Sequence, residues 1–388
     1  MRLQHPGDTP SDDPTLATEA SQHEAVQNSE VPEEAALPAS GEENGPEMSS
    51  AHLSLRKRLL NWRTLVPLVI VLGFLIYTAQ KLQINPGQTW AAMRSASLAF
   101  FLAAVLAYYL SLPIRTLRWR LLLQNVGYSR MSRPPLPHFG ILLEIFYTSW
   151  FANVVVPAKL GDVYRAYLLR QESGVSATRT FGTVLAERLL DLSVLLLLFL
   201  SAIIVSLHEN LPVFLRTGLY VTLALVLAGI LALFLLRVFR AQIRRFVPIR
   251  FQGYYDHLQE GTLGSFKRLY WLLPLTVLVW FCEAGRFFFI ALSLNLITGG
   301  LLHIGAAAMF IALGEALLTI VPFTSGGIGL VEGGMLAMLA LFTPARNLAA
   351  AGVLLDRTIS LLSVLAFGLI VFLLGSARRA ARSKNANA

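Results

Sequence analysis

The sequence predicts an all-α polytopic integral membrane protein with about 7–8 membrane-embedded helical segments, some of them broken or re-entrant. Three observations carry this. The 388 residues are 55% hydrophobic and only 14% charged, whereas a soluble domain carries roughly a quarter charged residues. Apolar runs of roughly 18 residues or more recur from Leu65 to the C-terminus, enough to cross a bilayer as helix. The basic residues gather between these runs, as loops on the cytoplasmic side require.

Residues 1–52 hold eleven of the 23 acidic residues and one of the 32 basic ones, leaving twelve acidic against thirty-one basic residues beyond. This Glu-, Pro- and Ser-rich stretch lacks the apolar surface to offset chain entropy and is expected to be a disordered cytoplasmic tail. It is acidic and has no apolar core, so it does not read as a signal peptide. Residues 53–377 form the expected transmembrane domain, and 378–388 a basic cytoplasmic tail.

In chain order, Arg56, Lys57, Arg58 and Arg63 precede a first span, Leu65–Ala79, and set the N-terminus inside. A second span, Leu98–Leu112, returns to the cluster Arg115, Arg118, Arg120, Arg130 and Arg133. Topology explains most of that cluster, and Arg115 and Arg118 could also present guanidinium groups to a lipid phosphate. Phe139–Val156 contains Glu144 and Asn153, ends at Pro157, and has basic residues on both flanks. It reads as a re-entrant pair of short helices or, alternatively, as a full span.

Spans then follow at Leu189–Leu207, Val213–Leu236, Leu269–Leu296, Leu301–Val321 and Ile359–Leu374, with residues 251–268 expected as a polar interhelical loop. Arg378, Arg379, Arg382 and Lys384 set the C-terminus inside.

One stretch breaks the pattern: Val321–Gly334 reads Val-Pro-Phe-Thr-Ser-Gly-Gly-Ile-Gly-Leu-Val-Glu-Gly-Gly. Pro322 removes a backbone donor, and Gly326, Gly327 and Gly329 weaken a continuing helix. Broken backbone at bilayer depth is tolerated where protein buries it or water reaches it, so the stretch, with Ser325 and Glu332, is expected to line a pathway. Val156–Asp162 shares its design, and an acid–arginine pair follows each break, Glu187-Arg188 and Asp356-Arg357. Interrupted segments in corresponding halves predict an inverted repeat.

The remaining carboxylates sharpen this. Glu144, Glu283 and Glu315 lie inside apolar spans, while Asp162, Glu187, Asp191, Glu332 and Asp356 adjoin breaks or span starts. An ionised carboxylate at a helix centre costs about 2.5–3.5 kcal/mol on insertion scales, so it faces protein or water and needs a partner. Sequence proximity suggests Arg286 for Glu283, Arg188 for Glu187 and Arg357 for Asp356. So many charges in so apolar a chain predict a polar cavity. Its arginines and glycine backbone favour phosphate, and its carboxylates favour cations or amines.

Other chemistries find no support. Cys282 is the single cysteine, the seven histidines are scattered, and neither a Walker loop, a zinc spacing nor a nucleophile elbow occurs. No enzyme activity, metal or cofactor is expected. The basic charge sits beside hydrophobic spans, where lipid and topology explain it better than nucleic acid.

Arg115–Leu123, Asn153–Arg165 with its Pro-x-x-x-Gly-Asp core, Ala186–Asp191, Pro322–Glu332 and Asp356-Arg357 together resemble the flippase-like family named after the transmembrane region of lysylphosphatidylglycerol synthase. The resemblance spans nearly all of residues 56–377. It implies a multi-pass protein of the bacterial inner membrane; in the synthases this region is associated with moving modified phospholipid between leaflets. By that match Asn153, Asp162, Arg165, Glu187, Arg188, Asp191, Gly326, Gly327, Glu332 and Arg357 fall on motif positions. No soluble aminoacyl-transfer domain follows Leu374, so synthesis of aminoacylated lipid is not expected, and the acidic tail is additional. The expected function is translocation of a phospho- or polyprenyl-lipid. The expected partners are an anionic or zwitterionic membrane lipid and envelope-biosynthesis proteins. The alternatives are a membrane-embedded lipid-modifying transferase and a non-catalytic scaffold.

Overall fold

The computed structural model describes residues 83–156, 159–207, 213–239, 247–320 and 327–386, with positions 80, 242 and 245. The tail 1–52, the expected span Leu65–Ala79, Pro157, Pro322, Ser325 and Gly326 lie outside the described residues. Within them the chain is helical and contains no strand. The helices are α1 Pro86–Arg94, α2 Leu98–Asn125, α3 Phe139–Val155, α4 Gly161–Ser173, α5 Ala177–Leu207, α6 Val213–Val238, α7 Ile249–Gly264, α8 Leu269–Ser293, α9 Leu301–Ile320, α10 Leu330–Leu339, α11 Arg346–Arg357 and α12 Val364–Ala386.

Among the described residues, five helical stretches are long and apolar enough to cross a membrane: Leu98–Asn125, Ala177–Ser206, Ile249–Ser293, Leu301–Thr319 and Arg346–Arg379. The protein is a multi-pass membrane protein, and its outer surface fits that solvent. Leu102 and Leu106 on α2, Leu227, Leu231 and Phe234 on α6, and Phe367 and Leu373 on α12 are all exposed, a surface that lipid tolerates and water does not.

Two expectations change. Residues 251–268, read as a polar loop, form α7 and a 3₁₀ turn, Ser265–Arg268, that runs into α8. α7 packs along α5. Thr262 and Ser265 donate back to the carbonyls of Leu258 and Gly261, so the small polar residues satisfy themselves while tertiary packing holds the helix. Asp356 and Arg357, read as preceding the last span, end α11, which continues through a π-helical turn, Thr358–Ser363, into α12. The alanine-rich run 349–351 favours that earlier helix start.

Two antiparallel helical hairpins position the site. α3 and α4 are joined by the five-residue connection Val156–Leu160. The first residue of α4, Gly161, lies against the Ser149 carbonyl and Asn153 at the far end of α3. Further along α4, Leu168 and Leu169 share a core with Leu142, Ile145 and Phe146 near the start of α3. The stretch 139–156, read as a pair of short helices, is instead one continuous helix, and its hairpin partner is α4 beyond the break. Likewise α9 and α10 run antiparallel, with Gly334 against Leu318 and Gly314 against Met338. The larger core joins α2, α5, α8, α9, α10 and α11, and the smaller joins α2, α3 and α4.

Candidate functional site

The buried charges fall into two constellations of the same design. In the first, Arg118 on α2 donates to Glu187 Oε1 (2.9 Å) and to both oxygens of Asp191 (2.5 and 3.0 Å), all on α5. Arg165 on α4 reaches the second oxygen of Glu187 at 2.7 Å. Arg188 turns to the start of α4 and grips Asp162 with two bonds, 2.9 and 2.7 Å. Asn153 adds a bond to Asp162 at 3.0 Å.

In the second constellation, Arg286 on α8 donates to Asp356 on α11 and to Glu315 on α9 (2.7 Å). Arg357 reaches Glu332 at the start of α10 through Nε at 2.7 Å and Glu315 at 3.4 Å. The other oxygen of Glu332 accepts from the backbone of Gly329 at 2.5 Å. It thereby caps the helix whose entry needs the positive φ of Gly329, 92°.

The correspondence is quantitative. Arg118 and Glu187 are 69 positions apart, and Arg286 and Asp356 are 70 apart. Arg188 and Asp162 are 26 apart, and Arg357 and Glu332 are 25 apart. Each member of the first set (118, 162, 187, 188) lies 168 to 170 positions before its counterpart (286, 332, 356, 357). The units α2–α5 and α8–α11 are thus an internal repeat, each with a helix break bridged by the arginine of an acid–arginine pair.

The same offset relates Arg115 to Glu283, and these two bond each other at 2.8 Å across α2 and α8. Contact between equivalent positions is what a twofold relationship produces on its axis. The Arg115 guanidinium also stacks 4.8 Å from the Trp150 ring centroid and 5.7 Å from that of Trp280.

A cavity of about 420 Å³ opens here and is lined from both hairpins, by Asn153, Lys159 and Asp162 on one side and Glu315, Thr319 and Gly327 on the other. Arg115, Arg188, Asp191, Glu283, Arg286 and Arg357 contribute its remaining charges, and Tyr108, Trp150 and Trp280 its aromatic wall. Lys159 has no ion pair within 4 Å among the described residues. Burial, and then the Arg188 charge, lower its pKa to about 8 against the pull of Asp162 and Asp191, so it stays mostly protonated at pH 7. Burial pushes the Asp162 carboxyl the other way, but Arg188, Arg165 and the Asn153 bond outweigh it and hold the group well below the usual carboxylate range.

Of the residues singled out from sequence, Arg115, Asn153, Asp162, Arg188, Asp191, Glu283, Arg286, Glu315, Gly327 and Arg357 line this cavity. Arg118, Arg165, Glu187, Glu332 and Asp356 stand behind them, bonded to lining residues or to one another. Arg118, read as an interfacial cation, is wholly buried, because α2 continues as helix to Asn125. Two expected pairs are replaced. Glu187 binds Arg118 and Arg165 where Arg188 was expected, and Asp356 binds Arg286 where Arg357 was expected. Adjacent helical residues point about 100° apart, so neither expected pair can close within one helix. Arg286 does reach Glu283, at 3.5 Å.

Tyr108, Lys159, Trp150 and Trp280 were not singled out. The signal for the tryptophans was present, since both sit inside apolar runs and away from the interfacial ends where tryptophan concentrates. Lys159 passed as one more basic flank. Among the described residues no three His, Cys, Asp or Glu side chains converge as a metal site.

The family model described as "Lysylphosphatidylglycerol synthase TM region" matches residues 64–368, which include every residue of both constellations. A UPF0104 membrane protein of Methanocaldococcus jannaschii is 33% identical over 224 residues, covering 57% of this chain and 93% of that protein. One from Methanothermobacter thermautotrophicus is 25% identical over 326 residues, 78% of this chain and 93% of that protein. The glycosyltransferase AglD of Haloferax volcanii is 26% identical over 340 residues, 77% of this chain. The match spans about half of that longer relative, 53%.

Proposed function

The chain belongs to the lysylphosphatidylglycerol synthase transmembrane-region family, and from that premise we propose that it is a lipid translocase, moving the headgroup of a phospho- or polyprenyl-lipid between leaflets. The observation that supports this most is the cavity shared by the two helix breaks, lined by both signs of charge and by aromatic rings inside an apolar helical bundle. Discontinuous helices meeting at a polar site are how repeat-built transporters handle charged cargo. The repeat gives each break its own arginine latch, an arrangement suited to opening on alternate sides.

In this reading no chemical step is assigned to the protein. Its basic loops set both termini on the cytoplasmic side, in the inner membrane of a bacterial cell, where envelope-biosynthesis proteins would supply or consume the lipid. A second reading, a lipid-modifying transferase, is favoured by the name of the Haloferax relative.

Two measurements separate the readings. Purified protein in vesicles is expected to speed the exchange of a fluorescent phospholipid above protein-free vesicles, and an unchanged rate would count against translocation. Mass spectrometry of lipids from cells lacking the protein is expected to find the same lipid species as in the parent. Disappearance of a species would favour the transferase.

A further inference from the structure

Resting on that reading of the cavity, we propose that Lys159 is its anion-selective contact, and that the preferred headgroup carries a phosphate with no compensating amine. The four arginines that line the cavity are already committed to carboxylates: Arg115 to Glu283, Arg188 to Asp162, Arg286 to Glu315 and Asp356, and Arg357 to Glu332. Lys159 is the lining cation without such a partner among the described residues.

The repeat separates frame from reader. The pairs Arg118–Glu187 and Arg188–Asp162 recur as Arg286–Asp356 and Arg357–Glu332, so these four are accounted for by holding the two breaks. The second break, residues 321–329, contains no basic residue, so Lys159 has no counterpart there.

The case against an amine comes from the aromatic wall of the cavity. Aromatic faces with a carboxylate are the usual recognition site for an ammonium group. Here that site is filled from within, by Arg115 between Trp150 and Trp280 and bonded to Glu283. An incoming ammonium would have to displace a buried ion pair, whereas an incoming phosphate meets an unpaired cation. The cavity volume of about 420 Å³ is within the range of small-ligand sites, so it takes a headgroup and leaves the acyl chains outside.

The test is calorimetric titration of the full chain in nonionic detergent with dihexanoyl phosphatidylglycerol, dihexanoyl phosphatidylcholine and glycerol phosphate, using wild type, Lys159→Gln and Lys159→Arg. Phosphatidylglycerol is expected to bind about tenfold or more tighter than phosphatidylcholine, with the preference lost in Lys159→Gln and kept in Lys159→Arg. Glycerol phosphate binding more weakly than the lipid identifies a lipid headgroup as the source, and equal or tighter binding identifies a free phosphate compound. Equal affinities for the two lipids, a preference that survives in folded Lys159→Gln, or no binding of any ligand would overturn the proposal. Lys159-dependent binding by a protein that fails to speed leaflet exchange would retire the translocase reading and keep the site.

Discussion

Arg115 and Glu283 occupy equivalent positions of two repeats and are bonded to each other at 2.8 Å. The contact itself can form with the charges exchanged, although the Trp150 and Trp280 rings and Arg286 favour the native order. Glu283→Ala leaves Arg115 without its carboxylate and is expected to cost about 3–5 kcal/mol, and Arg115→Ala less, because Arg286 still reaches Glu283 at 3.5 Å. The exchanged variant, Arg115→Glu with Glu283→Arg, is expected to recover a large part of that loss in thermal unfolding of the solubilised protein. A double variant no more stable than the sum of the two single reversals would contradict the twofold relationship.

The repeat makes a second comparison. Arg118→Gln and Arg286→Gln remove the guanidinium that holds Glu187 in one unit and Asp356 in the other. Both are expected to lower stability by similar amounts, again about 3–5 kcal/mol. Unfolding midpoints measured side by side would expose an asymmetric frame if only one variant were affected.

Gly161 tests the first hairpin. A Cβ there would collide with the Ser149 carbonyl and the Asn153 side chain, which are backbone and a bonded amide with little room to yield. Gly161→Ala is expected to cost about 1–3 kcal/mol and to disturb Asp162, the next residue. Gly140→Ala, where a Cβ meets nothing within 4 Å, is the matched control. Equal stability of the two variants would mean the hairpin is looser than described.

How much of this was legible beforehand follows the range of the interactions. Pro157, Pro322 and the glycines announced both breaks, because backbone chemistry is local. Glu283, Arg286 and Glu315 announced a polar interior, because charge inside an apolar run is visible without a structure. Apart from Glu283 with Arg286 one helical turn away, the partners were not legible. Asp356 finds Arg286 from 70 positions away, and the nearest arginine in sequence points elsewhere. Lys159 was hidden for the opposite reason: it looks like a topology signal, and only the bonded state of the surrounding arginines sets it apart. Helix α7 was missed because its polar composition reads as loop, while its packing against α5 makes it a helix.

Lys159 also carries a pH signature. Its pKa of about 8, lowered by burial and Arg188, means the cation is present below pH 8 and lost as pH rises through that value. Phosphatidylglycerol, a diester, keeps its charge across this interval. Its affinity is expected to fall between pH 7 and pH 9 in the wild type, with no such fall in Lys159→Arg, since arginine stays protonated there. Titration calorimetry at a series of pH values reads this directly. Parallel curves for the two proteins would assign the dependence to another group.

The most direct test of the pathway is to fill it. Ala316 lines the cavity on α9, and Ala316→Trp would occupy that volume without altering a charge. In vesicles containing a fluorescent phosphatidylglycerol and an impermeant quencher, wild type is expected to exchange the lipid well above the protein-free rate. A folded Ala316→Trp variant is expected to fall back to the protein-free rate. Exchange by that variant at the wild-type rate would contradict the cavity as the route.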